Sequence, residues 1–236
     1  MARLAQRAGY NLGANLNASE DALAFSPFHD SWINRFIAAE QSGRSLSASA
    51  AQRMEQDFRS ALEKHLPGAI TLRWGWKAPR TVYLLPFIHA QFPDCKFIHV
   101  LRDGRDMAFS KNQNQLRKHG CAVLKWNERW FNPQPLLSIR LWERVNLLAA
   151  DYGEAHLKEN YHRVRFEDLC YKPASTIDGI MKFLGAEIDI ESAIRAEISP
   201  PASIGRWRRR PPQLVARLER AAAVSLRKFG YLDQRQ

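Results

Sequence analysis

The stretch Lys96–Ser110, KFIHVLRDGRDMAFS, constrains the fold of this 236-residue chain more than any other segment. Phe97, Ile98, Val100 and Leu101 form a short apolar run suited to a buried strand. Asp103–Gly104 break it, and a helical pattern follows. The reading is strand, tight turn, helix, with Arg102 at the carboxyl end of the strand and Ser110 one to two turns into the helix. In an open parallel sheet, ligands sit beyond the carboxyl ends of the strands, and backbone N–H groups at a helix start attract anions. An Arg fork and a Ser hydroxyl converging there suit a phosphate. The alternative is a surface ion pair of Arg102 with Asp103 or Asp106, Ser110 being an ordinary helix serine.

The rest of the chain reads as alternating helices and strands. Residues 1–9 look like the end of a helix stopped by Gly9, and SWINRFIAAE is helical. Ala51–His65 is amphipathic, with Ala51, Met54, Phe58 and Leu62 on one face and Pro67–Gly68 after it. A short strand is expected at Ala69–Trp74, then a loop at Gly75–Arg80 and a helix to about Phe92, with Pro86 tolerable only in its first turn. Residues 119–135 read as an aromatic loop, Leu136–Leu157 as a long helix and Tyr161–Phe166 as a strand. Helices follow at Thr176–Leu184, ended by Gly185, and at about Pro212–Lys228. Strands alternating with helices predict an α/β domain with a parallel sheet and right-handed crossovers.

The length suits one domain with a real core. No run approaches a membrane span, and MARLAQRAGYNLG has no apolar leader segment, so a cytoplasmic protein is expected. Cys95, Cys121 and Cys170 are isolated and odd in number, which argues against a disulfide framework or a zinc site. The net charge of +11 calls for acidic partners: nucleic acid, an anionic membrane surface, or small phosphorylated or sulfated ligands. The basic charge is densest at Arg206–Arg210.

KFIHVLRDGRDMAFS resembles the 3′-phosphate-binding motif of sulfotransferases that use 3′-phosphoadenosine 5′-phosphosulfate (PAPS). There an Arg ends a strand and a Ser follows eight positions later, matching Arg102 and Ser110. WGWKAPR (Trp74–Arg80) resembles the Lys-x-Pro-Arg segment of bacterial and carbohydrate members. VRFEDLCYKPASTIDGIMKFLG (Val164–Gly185) resembles their strand, Glu-Asp-Leu, Pro, helix, Phe-Leu-Gly stretch. SIGRWRR (Ser203–Arg209) resembles a late Gly-Arg-Trp segment that closes over the nucleotide. The resemblance covers most of residues 1–210. It implies a P-loop-like three-layer α/β/α fold with a central parallel sheet, in a single sulfotransferase-like domain over residues 1–236.

The family opens with a strand and a Gly-rich loop of the Gly-x-x-Arg-Ser-Gly-Thr-Ser type, which holds the 5′-phosphosulfate. MARLAQRAG matches the portion just after it, so the domain is expected to lack that first strand and loop. SGRSLSAS (Ser42–Ser49) is no substitute: a phosphate loop needs a strand before it, whereas a helix-like segment precedes this one. It reads as a polar connector that caps the next helix.

The resemblance implies PAPS as sulfuryl donor, without a metal, and a hydroxyl of a carbohydrate, lipid or small molecule as acceptor. Arg102 and Ser110, helped by Arg206, would hold the 3′-phosphate. Lys77 would face the transferring group or the 5′-phosphate. Glu20, Asp21, His29 and Asp30 are the candidate bases, although Glu20 and Asp21 would equally suit a helix start. Glu167 and Asp168 are read as bracing the sheet edge, not as catalytic. Trp126, Trp130 and Phe131 either line an acceptor pocket, stack on adenine, or belong to the core. Two other readings compete: a catalytically impaired relative that only binds nucleotide, and a basic nucleic-acid binder. The second, which calls for basic and aromatic residues interleaved on one face, is disfavoured because the Arg cluster is short and local, so no nucleic-acid partner is expected. Neither the acceptor nor the oligomeric state is encoded in these motifs.

Overall fold

A computed structural model describes residues 1–68 and 73–233. The chain opens with α1 (Ala2–Arg7) and, after a loop and a short 3-10 turn, α2 (Ser26–Gln41) and α3 (Ala48–His65). A 3-10 segment at Pro79–Leu84 runs into α4 (Leu85–Gln91), followed by β1 (Phe97–Leu101) and α5 (Gly104–Ala108). Then come α6 (Asn114–Val123), α7 (Trp126–Phe131) and α8 (Gln134–Tyr152). The remainder is β2 (Tyr161–Arg165), α9 (Phe166–Tyr171), α10 (Pro173–Leu184), α11 (Ile190–Glu197), α12 (Pro212–Ala221) and α13 (Ala223–Lys228).

Local chemistry sets most of these boundaries. Ser47 accepts the Ala50 N–H at 3.3 Å and caps α3, satisfying one of the donors a helix start leaves unpaired. The Ser42–Ser49 stretch is thus a connector between two helices. Pro86, Pro135 and Pro173 each fall in the first turn of a helix, where no N–H is needed. Gly185, at φ 65°, closes α10 in the left-handed conformation that glycine adopts without penalty. Along α8, Leu136, Ile139, Trp142, Val145 and Ala149 recur on one buried face. Burial of large side chains like these contributes about 1.5–3 kcal/mol each.

The three-layer α/β/α expectation is corrected. Among the described residues the only regular sheet is β1–β2, a parallel pair in the register Phe97↔Tyr161 to Leu101↔Arg165, and most of the chain is helical. The largest core cluster shows why. Phe25, Phe28, Trp32, Met54, Phe58, Leu84 and Ile88 pack helix against helix, and no residue of either strand joins them. Alternating apolar segments look alike in sequence whether a helix buries its stripe on a sheet or on another helix.

The strand pair still has helices on both faces. Leu101 packs with Trp142, Leu218 and Leu226, while Ile98 and Val164 pack with Leu4, Ile177 and Ile180. The expected strand at Ala69–Trp74 lies largely outside the described residues; Trp74 makes an isolated parallel bridge to Asn11. Residues 119–135 are mainly helical, in α6 and α7, not a loop. The final helix is two, broken at Ala222 (φ −134°, ψ 31°).

Candidate functional site

The parallel pair delivers Arg102 to the carboxyl end of β1, and α5 starts immediately beyond it. Asp103 caps α5, its Oδ1 accepting the Arg105 N–H at 2.8 Å. Its own N–H donates to Glu167 Oε1 at 2.9 Å, and the Tyr231 hydroxyl donates to Glu167 Oε2 at 2.9 Å. Glu167 therefore ties the end of β1 to the start of α9 and to Tyr231. Asp168 lies 3.7 Å from Arg165.

Asp103 is taken by Arg105, which also donates to Glu219 at 2.7 Å and to the Tyr231 carbonyl at 2.8 Å. The Arg105 guanidinium carbon lies 3.8 Å from the Trp207 ring centroid, a cation–π contact. Burial disfavours the charge on Arg105, but Asp103 and Glu219 outweigh it, and the pKa rises.

Arg102 is thereby left free of Asp103. Its Nη2 donates to Ser203 Oγ at 2.8 Å, its guanidinium lies over Phe166, and Asp106 stands 3.9 Å away. Its Nε is buried and has no partner among the described residues. The Arg102–Asp106 pairing is thus long and partial, because Asp106 serves another segment. Asp106, 1% exposed, accepts the N–H groups of Gly205 at 2.7 Å and Trp207 at 3.2 Å. Those bonds lay the Ser203–Arg210 segment across α5. Arg206 then donates to the Ser203 carbonyl at 3.0 Å and to the Phe109 carbonyl at 3.3 Å. Arg210 stacks on Phe109.

Ser110 lies two residues past the end of α5, not inside a helix, because α5 stops at Ala108. Its Oγ accepts the Asn112 N–H at 3.2 Å, which leaves the hydroxyl proton available. Arg102 and Ser110 thus flank α5, eight residues apart, and Arg206, from a segment about a hundred residues later, reaches the Phe109 carbonyl beside Ser110.

A model of the sulfotransferase family matches residues 7–190. The chain belongs to the sulfotransferase family. No curated protein matches it. The matched region of this sulfotransferase-family chain includes β1, α5 and β2 but stops before Ser203–Arg210.

The remaining candidates separate. Lys77 Nζ donates to the Ser19 carbonyl at 2.7 Å and forms a close ion pair with Asp21. The Lys77 carbonyl accepts the Ala22 N–H at 2.8 Å, so the loop holding Asp21 is docked on the Lys77 segment. Glu20, at φ 61°, turns instead to Arg3 at 3.4 Å.

His29 is buried among Phe25 and Phe28, and burial first, then Arg80, lowers its pKa to about 3. Asp30 is clasped by Arg80 and Lys118; their hydrogen bonds outweigh burial and hold its carboxyl below the usual range. Trp126, Trp130 and Phe131 are not core: they are 67%, 70% and 79% exposed.

The sequence reading named Asp106 only as a surface ion-pair partner of Arg102, and gave no individual role to Ser203 or Phe166. An acid four residues after Arg102 within so basic a motif was the available signal for Asp106. Nothing marked Phe166 or the hydroxyl of Ser203. Among the described residues no group of His, Cys, Asp and Glu could hold a metal, and no helix is long and apolar enough to cross a membrane.

Proposed function

We propose that this chain binds PAPS and moves its sulfuryl group to a hydroxyl acceptor. The observation that supports the reading is that Arg102 and Arg206 both donate to Ser203, with Arg102 Nε buried and unpartnered among the described residues. A buried donor without an acceptor is costly, and a phosphate oxygen supplies that acceptor. The donor set is two guanidinium forks and a hydroxyl, which suits a phosphate dianion.

PAPS supplies the sulfuryl group and leaves as adenosine 3′,5′-bisphosphate. As in phosphoryl transfer, the protein's contribution is positioning and charge stabilisation. Arg102, Arg206 and Ser110 hold the 3′-phosphate. Lys77 offers a positive charge to the transferring group or the 5′-phosphate, and its partner Asp21 takes the acceptor hydroxyl's proton. Asp21 is preferred to Glu20 because Glu20 is drawn away to Arg3, and to His29 and Asp30 because one is buried and the other clasped by two cations.

Transfer of labelled sulfate from PAPS to a panel of sugar, lipid and small-molecule hydroxyls tests the reading. Transfer that is lost in Lys77→Met and Arg102→Ala supports it. Nucleotide binding with no transfer to any acceptor supports instead a relative that only binds. Neither binding nor transfer overturns both.

A further inference from the structure

The α6–α7 surface carries a second kind of chemistry, outside the nucleotide site. Between residues 111 and 131 the cations are Lys111, Arg117, Lys118, Lys125 and Arg129, against a single acid, Glu128. Glu128 is buried and already neutralised: Arg144 at 2.7 Å and Arg140 both pair with it. Those bonds, together with the Lys125 N–H, outweigh burial and hold the Glu128 carboxyl below the usual range. The exposed surface of this segment is therefore purely cationic, apart from Lys118, which Asp30 engages. From it project Trp126, Trp130 and Phe131, with the two indoles 5.9 Å apart on successive turns of α7. Trp130 and Arg129 also border a cleft of about 400 Å³ toward Leu116, Leu124 and Leu137.

Large aromatic side chains left in water are unfavourable unless something covers them. We infer that the α6–α7 face docks on the surface of an anionic lipid bilayer, with Trp126, Trp130 and Phe131 inserted at the headgroup boundary and Lys125, Arg129 and Arg117 against lipid phosphates. Indole rings favour the interface because one edge is apolar and the N–H can stay wet. Charge complementarity selects this occupant. A second copy of the same face would set like charges opposite one another, whereas an anionic leaflet attracts each cation near it. Trp126 and Phe131, exposed and outside the cleft that Trp130 borders, suit a soft surface they can enter.

The test is co-sedimentation of the full chain with phosphatidylcholine vesicles, with and without phosphatidylserine, one of the anionic lipids that give a leaflet its negative surface potential. The expected result is binding only to the anionic vesicles, weakening as salt rises. Trp fluorescence should be quenched by brominated acyl chains. Trp126→Ala/Trp130→Ala/Phe131→Ala should lower partitioning by about tenfold or more, and Lys125→Glu/Arg129→Glu by a similar factor. Unchanged thermal unfolding of each variant keeps the comparison fair, since all five side chains are exposed.

Failure of the native chain to bind anionic vesicles at low salt overturns the inference. So does binding that ignores both variants, which would place the contact elsewhere, such as Arg206–Arg210. Self-association or DNA binding that disappears in the aromatic variant, with vesicles ignored, assigns the face to that partner instead. None of these outcomes depends on whether PAPS binds.

Discussion

Asp106 accepts the Gly205 N–H at 2.7 Å with the same carboxylate oxygen that faces Arg102 at 3.9 Å. One buried acid thus fixes the path of the late basic segment and sits beside the arginine that opens the site. The geometry of Arg206 follows from that anchor, since its two carbonyl partners, on Ser203 and Phe109, lie on the two segments Asp106 joins.

Asp106→Ala leaves the N–H groups of Gly205 and Trp207 without their acceptor. The expected loss is about 1–3 kcal/mol of stability, together with weaker nucleotide binding than the stability loss alone explains. Chemical denaturation and calorimetric titration measured on the same sample separate the two effects.

Gly104→Ala is expected to destabilise the chain by about 1–3 kcal/mol. A Cβ at that position would lie 2.5 Å from the Trp142 ring, so the indole or the start of α5 must shift. Sequence reading assigned this glycine to a tight turn. The structure gives it a packing reason: α8 approaches the backbone too closely for any side chain. Guanidinium denaturation of the variant checks the direction.

Arg105→Met is expected to cost about 3–5 kcal/mol, because it strands the buried Asp103 and frees Glu219 and the Tyr231 carbonyl. Unfolding curves test this, and Arg105→Lys should recover only part of the loss, since an ammonium cannot make the forked contact.

Acid should destabilise the fold between pH 6.5 and about 4. Burial first lowers His99 from 6.5 to about 4; Nε2 donates to Asn146 Oδ1 at 2.9 Å and Nδ1 accepts from the Tyr161 hydroxyl at 2.7 Å. His119 is lowered in the same way, to about 4. A folded-state pKa below the unfolded one means the unfolded chain binds protons first. The stability is then present above pH 6.5 and is lost progressively toward the folded values. Denaturation midpoints at pH 7, 5.5 and 4.5 should fall in that order, and His99→Gln should flatten the slope.

The sequence made local features legible and long-range ones less so. A cap within Ser42–Ser49, which the structure assigns to Ser47, Pro86 in a first turn and Gly185 as a stop are chemistry carried by local residues. β1 and β2 were readable because both are short apolar or alternating runs. The sheet was over-read because helices that pack on helices carry the same apolar stripes as helices on a sheet. The break at Ala222 carries no proline or glycine; Leu218, Ala222 and Leu226 are all fully buried, and tertiary packing decides it. Arg102, Ser110 and Arg206 were nominated by motif alone. Asp106, which ties the Gly205 segment to α5, depends on a contact across about a hundred residues of chain that no local pattern encodes.

The central claim is that Arg102 and its neighbours read a 3′-phosphate, and thermal unfolding with adenosine 3′,5′-bisphosphate tests it most directly. At about a hundredfold excess over Kd the nucleotide should add ~2.7 kcal/mol, a rise of several degrees in Tm for a chain of this size. Adenosine 5′-monophosphate, which lacks the 3′-phosphate, should give much less, and Arg102→Ala should abolish the difference. A folded wild-type chain that responds equally to both nucleotides or to neither, or a shift that survives Arg102→Ala, would contradict the account.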